Sequence, residues 1–98
     1  MRSQSTNQRP LFPLGQVVAT PGALEALVAA SQDPQELLQR HQSGDWGDLA
    51  DEDKAENDFS VTKELRIFSA YILSTGVKIW LITEADRSAT TFLLPSEY

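Results

Sequence analysis

The chain has no cysteine. That one absence excludes disulfides, thiolate zinc sites, iron–sulfur clusters and thiol nucleophiles. It has a single histidine, His41, so no zinc site can be built from several imidazoles. Glycine is scarce, with five residues, and neither a Walker-type phosphate loop nor a dinucleotide-binding glycine pattern occurs. No apolar run approaches the roughly 20 residues that cross a bilayer. The first ten residues, MRSQSTNQRP, are polar and lack the apolar core of a signal peptide. These absences lead to the expectation of a soluble, cytoplasmic bacterial protein with no metal, no cofactor and no membrane contact.

Basic residues are also few: eight Lys and Arg against fourteen Asp and Glu, a net charge of −6. The imbalance is local. Residues 21–58 hold ten acids and two bases, residues 1–20 add two arginines, and residues 59–98 are neutral. Nonspecific nucleic-acid affinity comes from cations neutralising phosphates, so nucleic-acid binding is disfavoured. An acidic surface suits a basic protein partner. It equally suits a solvated helical face.

Ninety-eight residues with 41 % hydrophobic content make one small globular domain. Residues 1–10 read as a disordered tail, polar and with nothing to bury, and 11–98 as a single domain. Gln16–Ala19 can form a short strand or extended segment. Thr20-Pro21 is a helix start: threonine caps, and proline fits the first helical position, where its missing amide has no partner. Leu24, Leu27 and Val28 then form one apolar stripe. Asp33-Pro34 repeats the device, with Glu36 placed to close a capping box. The second helix runs to about Arg40 or Gln42, with Arg40 and His41 as cations against its C-terminal dipole.

The stretch HQSGDWGDLADED (41–53) poses the main question of chemistry. Its acids do not fall at calcium-loop spacing, and no strained nucleophile turn is present. It reads instead as a joint: a helix stop at Ser43-Gly44, a turn anchored by Trp46, and a third helix over about 49–58 capped by Asp48. Asp51, Glu52 and Asp53 occupy its first turn, where acids are stabilised by roughly 0.3–1 kcal/mol each.

From Leu65 the hydrophobic period changes from 3.6 to 2. Three runs, about 65–73, 77–82 and 88–94, are separated by Ser74-Thr75-Gly76 and by Thr83 to Arg87. They read as an antiparallel meander. The fold class expected is α+β, with about three short N-terminal helices on a three- or four-stranded antiparallel sheet. Glu84, Asp86 and Arg87 in the second turn are candidates for contact with a ligand or partner, or for an internal polar network. Asp48, Asp51 and Asp53 are candidates for the acidic face. Phe68, Trp80 and Ile82 raise a further possibility, because strands apolar on both faces leave one face for a homodimer or a partner.

Three segments, LGQVVATPGALEAL, HQSGDWGDL and KIWLITEADRSATTFLLPSEY, resemble a family of small bacterial plasmid-related proteins of about this size. Some of its members are labelled as type I restriction–modification methyltransferase subunits. That activity would require a glycine-rich cofactor loop and a base-flipping N/D-P-P-Y/F site, and this chain carries neither. The resemblance implies a mobile-element accessory role. The reading from sequence is therefore a non-enzymatic protein acting through contacts with an unknown partner. The alternative is a small ligand-binding or hydrolytic domain built on the 83–88 loop or on His41 with Asp45.

Overall fold

A computed structural model describes residues 9–98; most of the expected tail, residues 1–8, lies outside the described residues. The order is β1 (Gln16–Ala19), α1 (Pro21–Ala29), α2 (Pro34–Gln42), α3 (Asp51–Lys63), β2 (Ile67–Ile72), β3 (Lys78–Thr83), β4 (Ala89–Leu93), and a 3-10 turn at Pro95–Glu97. The class is α+β, as expected. No helix is long and apolar enough to cross a membrane.

The meander forms where the period-2 pattern places it. β2 pairs with β3, and β3 with β4, both antiparallel. The sheet is nonetheless mixed. Its order is β1-β4-β3-β2, and β1 lies parallel to β4, Val17 opposite Thr90 and Val18 opposite Thr91. The expectation of an antiparallel sheet fails at this edge, and the helices are not all N-terminal, because β1 precedes them. Short turns join β2, β3 and β4 and dictate their pairing. β1 is joined to β2 by all three helices, and a crossover that long dictates no neighbour. Gly15 makes the position possible. It has φ +65°, and a Cβ there would collide with the backbone of Arg87 and Ser88.

Both proline-led helix starts hold. Thr20 Oγ1 accepts from the Ala23 amide at 3.2 Å, and Asp33 Oδ1 accepts from the Gln35 amide at 2.9 Å. Glu36 closes no capping box; its carboxylate accepts from the Gln32 side chain. α1 turns Ala23 and Leu27 inward, leaving Leu24 53 % and Val28 78 % exposed, so the expected stripe is rotated. Small Ala23 is what lets α1 approach the sheet closely. α3 starts later than expected, with Ala50 as its cap residue and no side-chain cap bond. Asp48 is not the cap: its amide donates to the Ala70 carbonyl, next to a bridge between Gly47 and Ala70, and its carboxylate pairs with Lys78.

One face of the sheet carries Ile67, Tyr71, Ile79, Leu81 and Phe92 into the core, against Leu27, Leu37 and Leu38 of the helices. A second cluster of Phe12, Trp46 and Ile67 closes the lower end. Trp46 is the anchor that the sequence suggests, and its indole N–H donates to Asp58.

Candidate functional site

His41 is completely buried. The last turn of α2 places it under the sheet, where β2, β3 and β4 present Ser69, Thr83 and Thr90, all with no exposed surface. Thr83 sits opposite Thr90 in the ladder. The hydrogen bonds fix the proton order. The Thr90 hydroxyl donates to the Leu14 carbonyl at 2.8 Å. Thr90 Oγ1 therefore accepts from the Thr83 hydroxyl at 2.7 Å. Thr83 Oγ1 in turn accepts from His41 Nε2–H at 2.9 Å. That leaves His41 Nδ1 as the acceptor for the Ser69 hydroxyl. Every hydroxyl in the row has both a donor role and a destination, and only the neutral Nε2–H imidazole fits. Burial pushes the His41 pKa down to about 3. Phe12 and Trp46 pack edge-on against its ring at 5.1 and 5.9 Å.

This corrects the expectation of a cationic His41 at the helix end. Both ring nitrogens are committed to hydroxyls within the core. Asp45 is not its partner. Asp45 lies exposed and accepts from Arg40 Nε at 2.7 Å, and that bond holds its carboxyl below the usual range. Arg40 also stacks on Tyr71, whose buried hydroxyl donates to the Asp45 carbonyl and whose pKa burial pushes up to about 12.

The 83–88 loop is tied inward. Arg87 adopts φ +62° and donates to the carbonyls of Leu65, Glu84, Ala85 and Ser60 at 2.7–3.2 Å. Ser60 and Leu65 lie at the C-terminal end of α3, so the guanidinium also meets the negative end of that helix dipole. Asp86 accepts from the Ser88 amide, and contacts with Ser88 hold its carboxyl below the usual range. The internal network exists, but its acceptors are carbonyls rather than the carboxylates of Glu84 and Asp86.

The outer face of the sheet is different. The register brings Phe68 opposite Ile82 and Ala70 opposite Trp80. Phe68 and Trp80 pack edge to face at 4.9 Å, and Tyr98 folds back onto Trp80 at 5.7 Å. These aromatics floor a groove of about 300 Å³ whose walls are Asp53, Glu56 and Asn57 of α3 on one side and Arg66 and Tyr98 on the other. Asn57 fixes the wall. Its amide bonds the Phe68 backbone through both N–H and C=O, at 3.1 and 2.6 Å. Asp53, Glu56 and Asn57 share one helix face at i, i+3, i+4. Arg66 donates to the Tyr98 hydroxyl at 2.6 Å and stacks over its ring.

Of the six acids and bases singled out in the sequence, only Asp53 reaches this groove. Asp51 stays in the exposed first turn of α3, and Asp48 pairs with Lys78 at 3.3 Å. Glu56 belongs to the acidic stretch 21–58 that the sequence marks, whereas Arg66 and Tyr98, unlike Phe68, Trp80 and Ile82, are not singled out by it. The available signal was the spacing of Asp53 and Glu56 on one helix face. No family model, curated protein or solved structure matches the chain. The geometry of the groove thus carries the functional argument. Among the described residues, no cluster of three or more metal-binding side chains occurs.

Proposed function

We propose that the protein is a non-enzymatic interaction module, and that its outer-face groove receives a basic, apolar-anchored segment of a partner protein. One observation carries this reading: a half-open aromatic floor lies beside two carboxylates, Asp53 and Glu56, on the wall formed by α3. Aromatic side chains give large contact area at low entropy cost and dominate interface energetics. Acids on the rim select a cation and speed encounter with it. A lysine or arginine beside an aliphatic anchor meets both demands, and an aromatic face adds cation–π attraction. The mobile-element setting rests on the family resemblance of the three segments alone.

The hydrolytic alternative finds little support in the geometry of its candidate residues. His41 has no exposed surface, and Arg87 is occupied with four carbonyls. The test is affinity capture of partners from a bacterial lysate by the tagged protein and by two variants. Trp80→Ala should lose the captured partner, and the double variant Asp53→Lys, Glu56→Lys should lose it while folding normally. Asp51→Lys, outside the groove, should retain it. Capture that survives both groove variants sinks the proposal.

A further inference from the structure

The two edges of the sheet are treated differently. At the β2 edge every outward backbone group from Phe68 to Ala70 that could pair is occupied. Asn57 takes the Phe68 N–H and C=O. The Ala70 amide donates to the Trp46 carbonyl, and the Ala70 carbonyl accepts from Asp48. Gly47 allows that approach, since a Cβ there would collide with the Ala70 carbonyl. Among the described residues the β1 edge has no such cover. Gln16 and Thr20 direct their amides to Ser88 and Phe92 of the β4 side. By the alternation of a parallel ladder, Val17 and Ala19 direct theirs outward. Among the described residues no hydrogen bond meets those groups. Val17 and Val18 remain 43 % and 40 % exposed.

We propose that β1 pairs with β1 of a second copy of the chain, giving an antiparallel dimer and one eight-stranded sheet. Two features favour a second copy over another occupant. First, the strand is self-complementary. A dyad through Val18 sets Val17 opposite the partner's Ala19 and Ala19 opposite the partner's Val17, so that four backbone hydrogen bonds form. Val18 meets its own equivalent on the outer face, where apolar β-branched pairs are favourable. Second, the charge allows it. Two chains of net charge −6 repel, yet residues 10–24 hold no charged residue. The edge also lacks proline, lysine and any bulge, the usual devices against pairing. The proposal is independent of the groove reading, since the groove lies over β2 and β3, toward the opposite edge of the sheet.

The strand has four residues, so the interface is small and association weak, below the ~1,000 Å² of a durable complex. The experiment is sedimentation equilibrium from roughly 10 μM to 1 mM, combined with amide hydrogen exchange at both ends of that range. The expected result is a monomer–dimer equilibrium, with exchange at Val17 and Ala19 slowed at least about tenfold at high concentration while the Phe68 and Ala70 amides, already bonded, do not change. Val18→Lys sets two ammonium groups face to face at the dyad and should abolish the dimer without altering the helical circular dichroism. Val17→Pro removes an outward donor only and should do the same. A chain that stays monomeric throughout overturns the proposal. So does a dimer whose Val17 and Ala19 amides exchange as fast as the monomer's, or one that Val18→Lys leaves intact.

Discussion

On the inner face of the sheet, β2, β3 and β4 set Ser69, Thr83 and Thr90 beneath His41. On the outer face the same three strands set Phe68, Ile82, Trp80 and Leu93 side by side. The usual arrangement is thus reversed in part. A polar row is sealed in the core, and an aromatic row is left half open. The polar row is tolerable because it is complete. Four hydrogen bonds run in one direction to the Leu14 carbonyl, and no donor is left over. Among the described residues the aromatic row is covered in part, by Tyr98, Arg66 and the edge of α3, which leaves it half open. Completeness marks the inner row as structure, and the incompleteness of the outer one is what the proposed partner groove rests on.

Breaking the inner row should have the largest effect. His41→Ala leaves the Ser69 hydroxyl without its acceptor and Thr83 Oγ1 without its donor, and opens a cavity beside Phe12 and Trp46. A loss of about 3–5 kcal/mol is expected by urea denaturation. His41→Gln keeps one donor and one acceptor and should lose less.

Acid should act on the same row. The unfolded histidine takes a proton below about pH 6.5, whereas the folded one resists protonation until about pH 3. The unfolded state therefore binds more protons across this window, and stability falls as pH falls. Between pH 6.5 and 4.5 the loss should be about 2 kcal/mol. The carboxylates of Asp45, Asp86 and Glu97, held below their usual range, add their own losses mainly below about pH 5. Denaturation curves across pH 4.5–7 for wild type and His41→Gln check the assignment, since the slope should vanish in the variant.

Arg87→Ala ranks next, because four carbonyls lose their donor at once. Most of that site is exposed, so water replaces part of the loss. A decrease of about 1–2 kcal/mol is expected, and lysine should not rescue it because a single ammonium cannot reproduce the fork. The melting temperature is the readout.

Trp80→Ala sharpens the comparison from the other side. Trp80 is half-buried, and the loss should stay near 1–2 kcal/mol, well below that of His41→Ala. Its effect on partner capture should be complete. A stability loss matching that of His41→Ala would make the outer row as structural as the inner one.

Much of this was legible from local pattern. Thr20-Pro21 and Asp33-Pro34 begin helices because their side chains and ring satisfy nearby backbone requirements, and no distant residue enters. The change of period at Leu65 marks the meander for the same reason. The stretch 41–53 reads correctly as a joint with Trp46 as anchor. What was not legible involves partners far apart in the chain. Asp48 looks like a cap until Lys78, 30 residues away, pairs with its carboxylate. Arg87 looks like a ligand-binding arginine until α3 offers its terminal carbonyls. His41 looks like a surface cation until Ser69 and Thr83, 28 and 42 residues away, close around it.

The sequence by itself determined the two proline-led helix starts, the meander and its turns, the concentration of acid in residues 21–58 and the absence of cysteine chemistry. Each depends on neighbours within a few residues, or on composition alone. Only the tertiary structure decided where β1 docks, that His41 is neutral, and that Asp53 and Glu56 wall an aromatic groove. Those outcomes depend on which surfaces meet when the core closes, and a long crossover leaves that choice to packing rather than to local preference.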